Sequence, residues 1–262
     1  MDFLASIDPL QMLSGFAVGA LVGLTGVGGG SLMTPLLVLL FGVSPTTAVG
    51  TDLLYAAATK SVGAAVHGAG GTVDWKIVGR LASGSVPAAV ATLFVLAHVD
   101  RRLGTASHVI SAVLGLALIA TAAAMLFRRF ILGFFRDRMG EIAPARLAGF
   151  TVLLGAILGV LVSLSSVGAG AIGVTVLLIL YPRLPAARLV GSDIAHAVPL
   201  TLIAGFGHWL IGSVDFHLLI SLLAGSIPGI VIGSLVASRV PDRVLRPILA
   251  STLALVGGRL VL

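Results

Sequence analysis

The chain has 262 residues, of which 58% are hydrophobic and 10% charged, and its mean hydropathy is +1.14. A soluble domain carries about a quarter charged residues, so this composition excludes a water-solvated globule and points to lipid as the solvent. The formal net charge of +6 lacks the aromatic interleaving of a nucleic-acid surface, and the absence of cysteine excludes disulfides, thiol catalysis and thiolate metal sites.

In chain order, Met1-Asp2-Phe3-Leu4 has no basic region before the first apolar run, so no cleaved signal peptide is expected. Apolar runs then end at glycine, proline or charge near 10–27, 31–42, 46–67, 76–98 and 105–127. A basic stretch follows, with Arg128, Arg129, Arg136, Arg138 and Arg146. Five further runs lie near 147–166, 171–181, 186–211, 216–238 and 244–262. A helix crosses the hydrocarbon core in about 20 residues, so most runs predict transmembrane helices. The second run of each half is short and predicts a half-helix, a re-entrant leg or a tilted span.

The two sets of runs repeat each other. Gly50-Thr51-Asp52, His67, Gly71-Thr72-Val73-Asp74 and Gly84-Ser85-Val86-Pro87 return 141 residues later (Asp52 to Asp193) as Gly191-Ser192-Asp193, His208, Gly212-Ser213-Val214-Asp215 and Gly225-Ser226-Ile227-Pro228. Val27-Gly28-Gly29-Gly30 returns as Val167-Gly168-Ala169-Gly170 with an offset of 140 (Gly28 to Gly168). The expected fold is therefore an all-α polytopic membrane protein of two homologous halves with broken helices at the glycine motifs. Residues 1–127 form the N-terminal transmembrane repeat, 128–146 a basic cytoplasmic linker, and 147–262 the C-terminal repeat. Each half has four to five membrane segments, and five crossings per half would make the repeats inverted. Placing 128–146 inside also places Arg183, Arg188, Arg239, Arg243 and Arg246 inside, with acidic Asp2 and Asp8 outside, and Arg101 and Arg102, partly offset by Asp100, outside as well.

Glycine frees the backbone from helical geometry, and the helix that follows presents unpaired N–H groups that stabilise an anion. The substrate-binding candidates are Thr25, Gly28, Gly29, Gly30 and Ser31 at the first break, and Ser165, Ser166, Gly168, Ala169 and Gly170 at the second. The alternative use of these glycines is close helix packing alone. A nucleotide site is not indicated, because GVGGG lacks the Lys-Ser/Thr of a P-loop.

Asp52 and Asp193 lie inside apolar segments, where a carboxylate costs on the order of 3 kcal/mol, and are coupling or gating candidates. Their other use is capping a kink at Gly50 or Gly191. Lys60 has Thr201 as its counterpart in the repeat. It either snorkels to an interface or faces the cavity as an anion ligand or a partner for Asp193. A direct bond to Asp52 is not expected, since eight residues span about 12 Å of helix. His196 lies three residues from Asp193 and could share its proton. His67 and His208 end their segments before the turns leading to Asp74 and Asp215, and fix those turns or relay protons. Pro87 and Pro228 read as kinks or hinges. The six histidines show no zinc-binding spacing, so no metal and no cofactor is expected. No nucleophile–base–orienter set indicates an enzyme.

The glycine-rich break before Pro35, the Gly-Thr/Ser-Asp motif and the duplicated layout together resemble the sulfite exporter TauE/SafE family of membrane permeases. The resemblance covers essentially the whole chain and is strongest over 15–87 and 155–228. It implies a multi-pass protein of the cell inner membrane moving small sulfur-containing or organic anions such as sulfite, sulfonates or sulfoacetate. The second break, Gly168-Ala169-Gly170, departs from a full glycine run. The favoured expectation is a secondary transporter for a small anion by alternating access, with the lipid bilayer and the anion as partners. Proton coupling and homo-oligomerisation are compatible with it. A cation- or proton-conducting transporter using Asp52 and Asp193 is the rival reading.

Overall fold

A computed structural model describes residues 8–25, 30–98, 105–136, 143–236 and 242–261, and is all-helical over them. The helices are α1 (Pro9–Thr25), α2 (Gly30–Leu39), α3 (Pro45–Ala69), α4 (Trp75–His98), α5 (Thr105–Leu126), α6 (Arg128–Arg136), α7 (Pro144–Ser165), α8 (Ala171–Leu180), α9 (Ala186–Leu210), α10 (Phe216–Val236) and α11 (Asp242–Val261). Their limits fall within a few residues of the breaks in hydrophobicity. The basic stretch differs from a plain linker: its first part is the nine-residue helix α6, with cationic Arg128 and Arg129 beside Phe130, Phe134 and Phe135.

Among the described residues, five helices are long and apolar enough to cross a membrane: α4, α5, α7, α9 and α10, the last over Phe216–Gly233. Helix α3 has the same 25 residues as α9 but is not among them. Asp52, Lys60 and their polar neighbours lower its apolarity, so a helix of full spanning length falls short because it carries two buried ionisable groups. Helices α2 and α8 have 10 residues each. That is about 15 Å, half of the roughly 30 Å hydrocarbon core.

Helices of the two halves pair by exchange. Helix α1 lies along α10 as α7 lies along α4, while α3 packs on α9 and α5 on α11. The close approaches repeat in the same way. Gly15 of α1 sits on the Leu222 carbonyl of α10, and Gly155 of α7 on the Leu81 carbonyl of α4. A Cβ at either glycine would overlap partner backbone, so these glycines allow the dispersion contact that holds helices together in lipid. Two equivalent cores result. Leu53, Leu81, Leu158, Val162 and Leu177 are buried in one, and Val18, Met33, Leu37, Tyr55 and Leu222 in the other. A third cluster brings Val167 of the second break onto α5 and α11 through Leu114, Leu118, Ala250 and Leu253, with Leu32 of α2 packed against it. The first turn of α2 and the second break therefore share one neighbourhood.

Polar ties obey the same exchange. The Asp74 N–H donates to Ser192 Oγ at 2.8 Å, and the Asp215 N–H donates to Thr51 Oγ1 at 3.0 Å. The hydroxyl before each motif aspartate thus caps the turn leading into the other half's equivalent of the following helix. Gly50 and Gly191 lie inside continuous helices and serve close approach, to the Ser213 and Thr72 carbonyls respectively.

Gly155→Ala should push α7 off α4 and destabilise the protein by about 1–3 kcal/mol, as overpacking does. Gly149→Ala, on the same helix with open space at its Cα, should leave stability nearly unchanged. Thermal unfolding of the two variants in one detergent compares them.

Candidate functional site

The second break is a strained, fully described piece of backbone. Helix α7 ends at Ser165, and Ser166 follows in the left-handed region at φ 57°, the one non-glycine residue with positive φ among those described. Gly168 and Gly170 take φ 121° and 115°, which only glycine adopts without strain. The Ser165 hydroxyl donates to the Leu161 carbonyl at 2.6 Å and accepts the Val167 N–H at 3.2 Å, closing the end of α7 on itself. Ala169 packs against the apolar core. Helix α8 then starts at Ala171 with Gly170 as its cap.

Three buried ionisable side chains surround this break. Asp52 of α3 is fully buried and accepts a hydrogen bond from the Thr34 hydroxyl of α2 through Oδ2. The Ser166 hydroxyl lies beside the same carboxyl group. Asp193 of α9 is equally buried and lies against the first turn of α8, with the Gly170 N–H facing its carboxylate and Gly173 in contact with Oδ1. The N-terminal end of α8 carries a partial positive charge, and a protein carboxylate lies on it. Lys60 is only 7% exposed, so its ammonium faces inward rather than reaching for an interface. It lies within electrostatic reach of both acids, acted on more strongly by Asp193 than by Asp52. Among the described residues it makes a direct ion pair with neither.

Two further polar pairs tie this centre to the exchanged helices. Tyr55 OH and Ser226 Oγ are 2.5 Å apart, linking α3 to α10. Their counterparts are His196 and Ser85, where Nε2 and Oγ are 2.8 Å apart, linking α9 to α4. His196 is thus bonded to Ser85, not to Asp193. His208 is buried, and its Nε2–H donates to the Ser163 carbonyl at 2.8 Å, joining α9 to the last turn of α7. His67 bonds the Thr72 hydroxyl at 2.8 Å within its own turn, the turn-fixing arrangement with threonine in place of Asp74.

The structure therefore brings Asp52, Lys60, Asp193, Ser166 and Gly170 together at one break. Gly28 and Gly29, and the side chains of Thr25 and Ser31, lie outside the described residues, while Gly30 opens α2. Thr34, Ser85 and Ser226 also belong to this polar centre. Their signal was recurrence: Thr34 matches Thr175, and Ser85 matches Ser226, at the 141-residue offset.

Residues 11–260, nearly the whole chain, match the family model described as sulfite exporter TauE/SafE. The chain belongs to that family. It is 39% identical over 251 residues to the probable membrane transporter protein YjnA of Bacillus subtilis (strain 168), covering 95% of this chain and 98% of that protein. The probable membrane transporter protein YdhB of the same organism is 31% identical over 84% of this chain and 86% of its own length. A probable membrane transporter protein of Methanocaldococcus jannaschii is 26% identical over 80% of this chain and 75% of its own. No solved structure matches. With its family and its long apolar helices, the chain is a multi-pass membrane transporter protein of the TauE/SafE family.

In this permease the Ser85–His196 bond should be structural as well as polar. Ser85→Ala leaves buried His196 Nε2 without a partner and should cost about 1–3 kcal/mol. Ser83→Ala, which removes an exposed bond to the Arg80 carbonyl, should cost little. Denaturation midpoints of the two variants in detergent measure the difference.

Proposed function

We propose that this permease is a secondary transporter for a small anion in the cell membrane, with sulfite, a sulfonate or a related organic anion as substrate class. The observation that carries this reading is the buried Lys60 ammonium. It lies between two buried carboxylates and beside a helix break, in direct contact with neither acid. A buried cation without a contact ion pair is an electrostatic vacancy that an anionic substrate fills. The break contributes hydroxyl groups and non-helical backbone for orientation. The sulfur-anion class rests on the family description.

The mode of transport is alternating access, in which 1–127 and 147–262 act as inverted halves joined by 128–146. The exchanged pairing of α1 with α10 and α7 with α4 supports this, because it makes each half complete the other's packing. Helices α3 and α9, which carry the charges, run through the middle of that arrangement. The chemistry needed is desolvation and release of an ion, not bond cleavage, so the role proposed is transport and not catalysis.

Flux of sulfite, sulfonates and small carboxylates through proteoliposomes holding the purified chain tests the reading. One anion of the sulfur class should be carried well above empty liposomes. Lys60→Gln should lower that flux at least tenfold, about 1.4 kcal/mol of lost stabilisation. Absence of flux for the whole panel, or Lys60→Gln transporting as well as the native chain, contradicts it.

A further inference from the structure

The two buried acids are not equivalent, although the repeat makes them so in sequence. Asp193 has a charge partner in Lys60 and lies on the positive end of α8 at Gly170 and Gly173. Asp52 shares Lys60 with Asp193 and meets α2 at Thr34, not the end of α8. Its polar neighbours are Thr34 of α2, by hydroxyl and by backbone N–H, and the Ser166 hydroxyl from the break. The break residue Ser166 caps the C-terminal end of α7, where the helix presents partial negative charge. Asp52 Oδ1 and Asp193 Oδ1 are both buried without a hydrogen-bond partner among the described residues, but only Asp52 has a second such atom beside it, Ser166 Oγ. The charged and titratable groups around this point are Lys60 and Tyr55 on α3, with Asp193 and His196 on α9. Among the described residues, two buried carboxyl groups share one ammonium, so in their ionised forms one negative charge lacks a counterpart.

We infer that Asp52, with Ser166 and the end of α7, forms the seat of a singly charged cation, a proton or Na+, separate from the anion locus at Lys60. Buried negative charge of this kind is neutralised either by protonation or by an ion held between carboxylate and hydroxyl oxygens. A transition metal does not suit the donor set: among the described residues no group of three His, Cys, Asp or Glu side chains is placed to hold one. Ser166 explains its own strain in this account, because the left-handed turn directs the chain so that a hydroxyl stands beside Asp52 at the mouth of the break. The cation's coupling role rests on the anion-transport reading; its binding does not.

The test uses the full chain in lipid nanodiscs and reads binding directly. Equilibrium binding of radioactive Na+ is measured with K+ as competitor, and infrared difference spectra are followed through a pH titration for the carbonyl band of a protonated carboxyl. For a sodium site, saturable Na+ binding resists K+ and weakens at least tenfold in Asp52→Asn. For a proton site, Na+ does not bind, and a titrating carboxyl band is present in the native chain and lost in Asp52→Asn. Asp74→Asn, which alters a carboxylate paired with Arg188 and not one facing Ser166, retains either signal. Ser166→Gly removes the hydroxyl while keeping the left-handed backbone, and should weaken Na+ binding or shift the band's midpoint even if Asp52→Asn fails to fold. The proposal is overturned if the native chain shows neither signal, if either persists unchanged in Asp52→Asn, or if Ser166→Gly leaves both as they were. Neither readout requires flux, so an absence of anion transport alone sinks the transporter reading and leaves this one standing.

Discussion

A carboxylate at membrane depth costs on the order of 3 kcal/mol, and this chain buries two of them with one ammonium. No arrangement of apolar helices offsets that cost, so polar groups must be brought to the charges from several directions. Helix α2 brings Thr34, the second break brings Ser166 and the Gly170 N–H, and α3 itself brings Lys60. The broken backbone at 166–170 is tolerated for the same reason: in lipid, irregular backbone persists only where protein or a cavity satisfies it. Charge burial and helix breakage are two sides of one constraint, and the exchanged packing of the halves exists to hold them together.

The scaffold is close to two-fold in its contacts, and the charges are not. Gly15 and Gly155, Thr51 and Ser192, Tyr55 and His196 occupy equivalent places with equivalent partners. Polarity departs from the repeat at particular points. Lys60 has Thr201 as its counterpart in the repeat, and Arg188, which meets Asp74 at 3.5 Å, has Thr47. Arg80 donates to Tyr181 OH at 3.2 Å, and that hydroxyl lies 2.8 Å from Thr151. The matching positions hold Ser221, Leu40 and Gln11. Packing can be duplicated because apolar faces are indifferent to what crosses the membrane. An ion with one charge and one shape needs a site that is not duplicated.

Much of this architecture was legible in the residues. Helix limits followed from glycine, proline and charge, because those residues end an apolar run and a helix for the same physical reasons. The burial of Asp52 and Asp193 followed from their place inside such runs, whereas Lys60 was open between an interface and the interior, and tertiary packing decided it. What could not be read was who meets whom across the halves. Thr51 and Ser192 precede the motif aspartates in sequence, yet each serves a backbone N–H in the opposite half. His196 looked like a partner for Asp193 at helical spacing, and tertiary packing gave it Ser85 instead. Gly50 and Gly191 looked like kinks and are contact points inside unbroken helices. The stretch from Arg128 read as a linker because it is charged, but its phenylalanines support a short helix. Local pattern specifies elements, while long-range contacts depend on the exchange of helices, which no single segment encodes.

The most direct measurement of the account is an experimental structure in a lipid bilayer with the transported anion bound. Anion density should lie in contact with the Lys60 ammonium and with the segment 167–170, at the junction of α3, α8 and α9. Density bound elsewhere, with Lys60 turned to lipid or locked in a contact ion pair that the anion does not disturb, would contradict it.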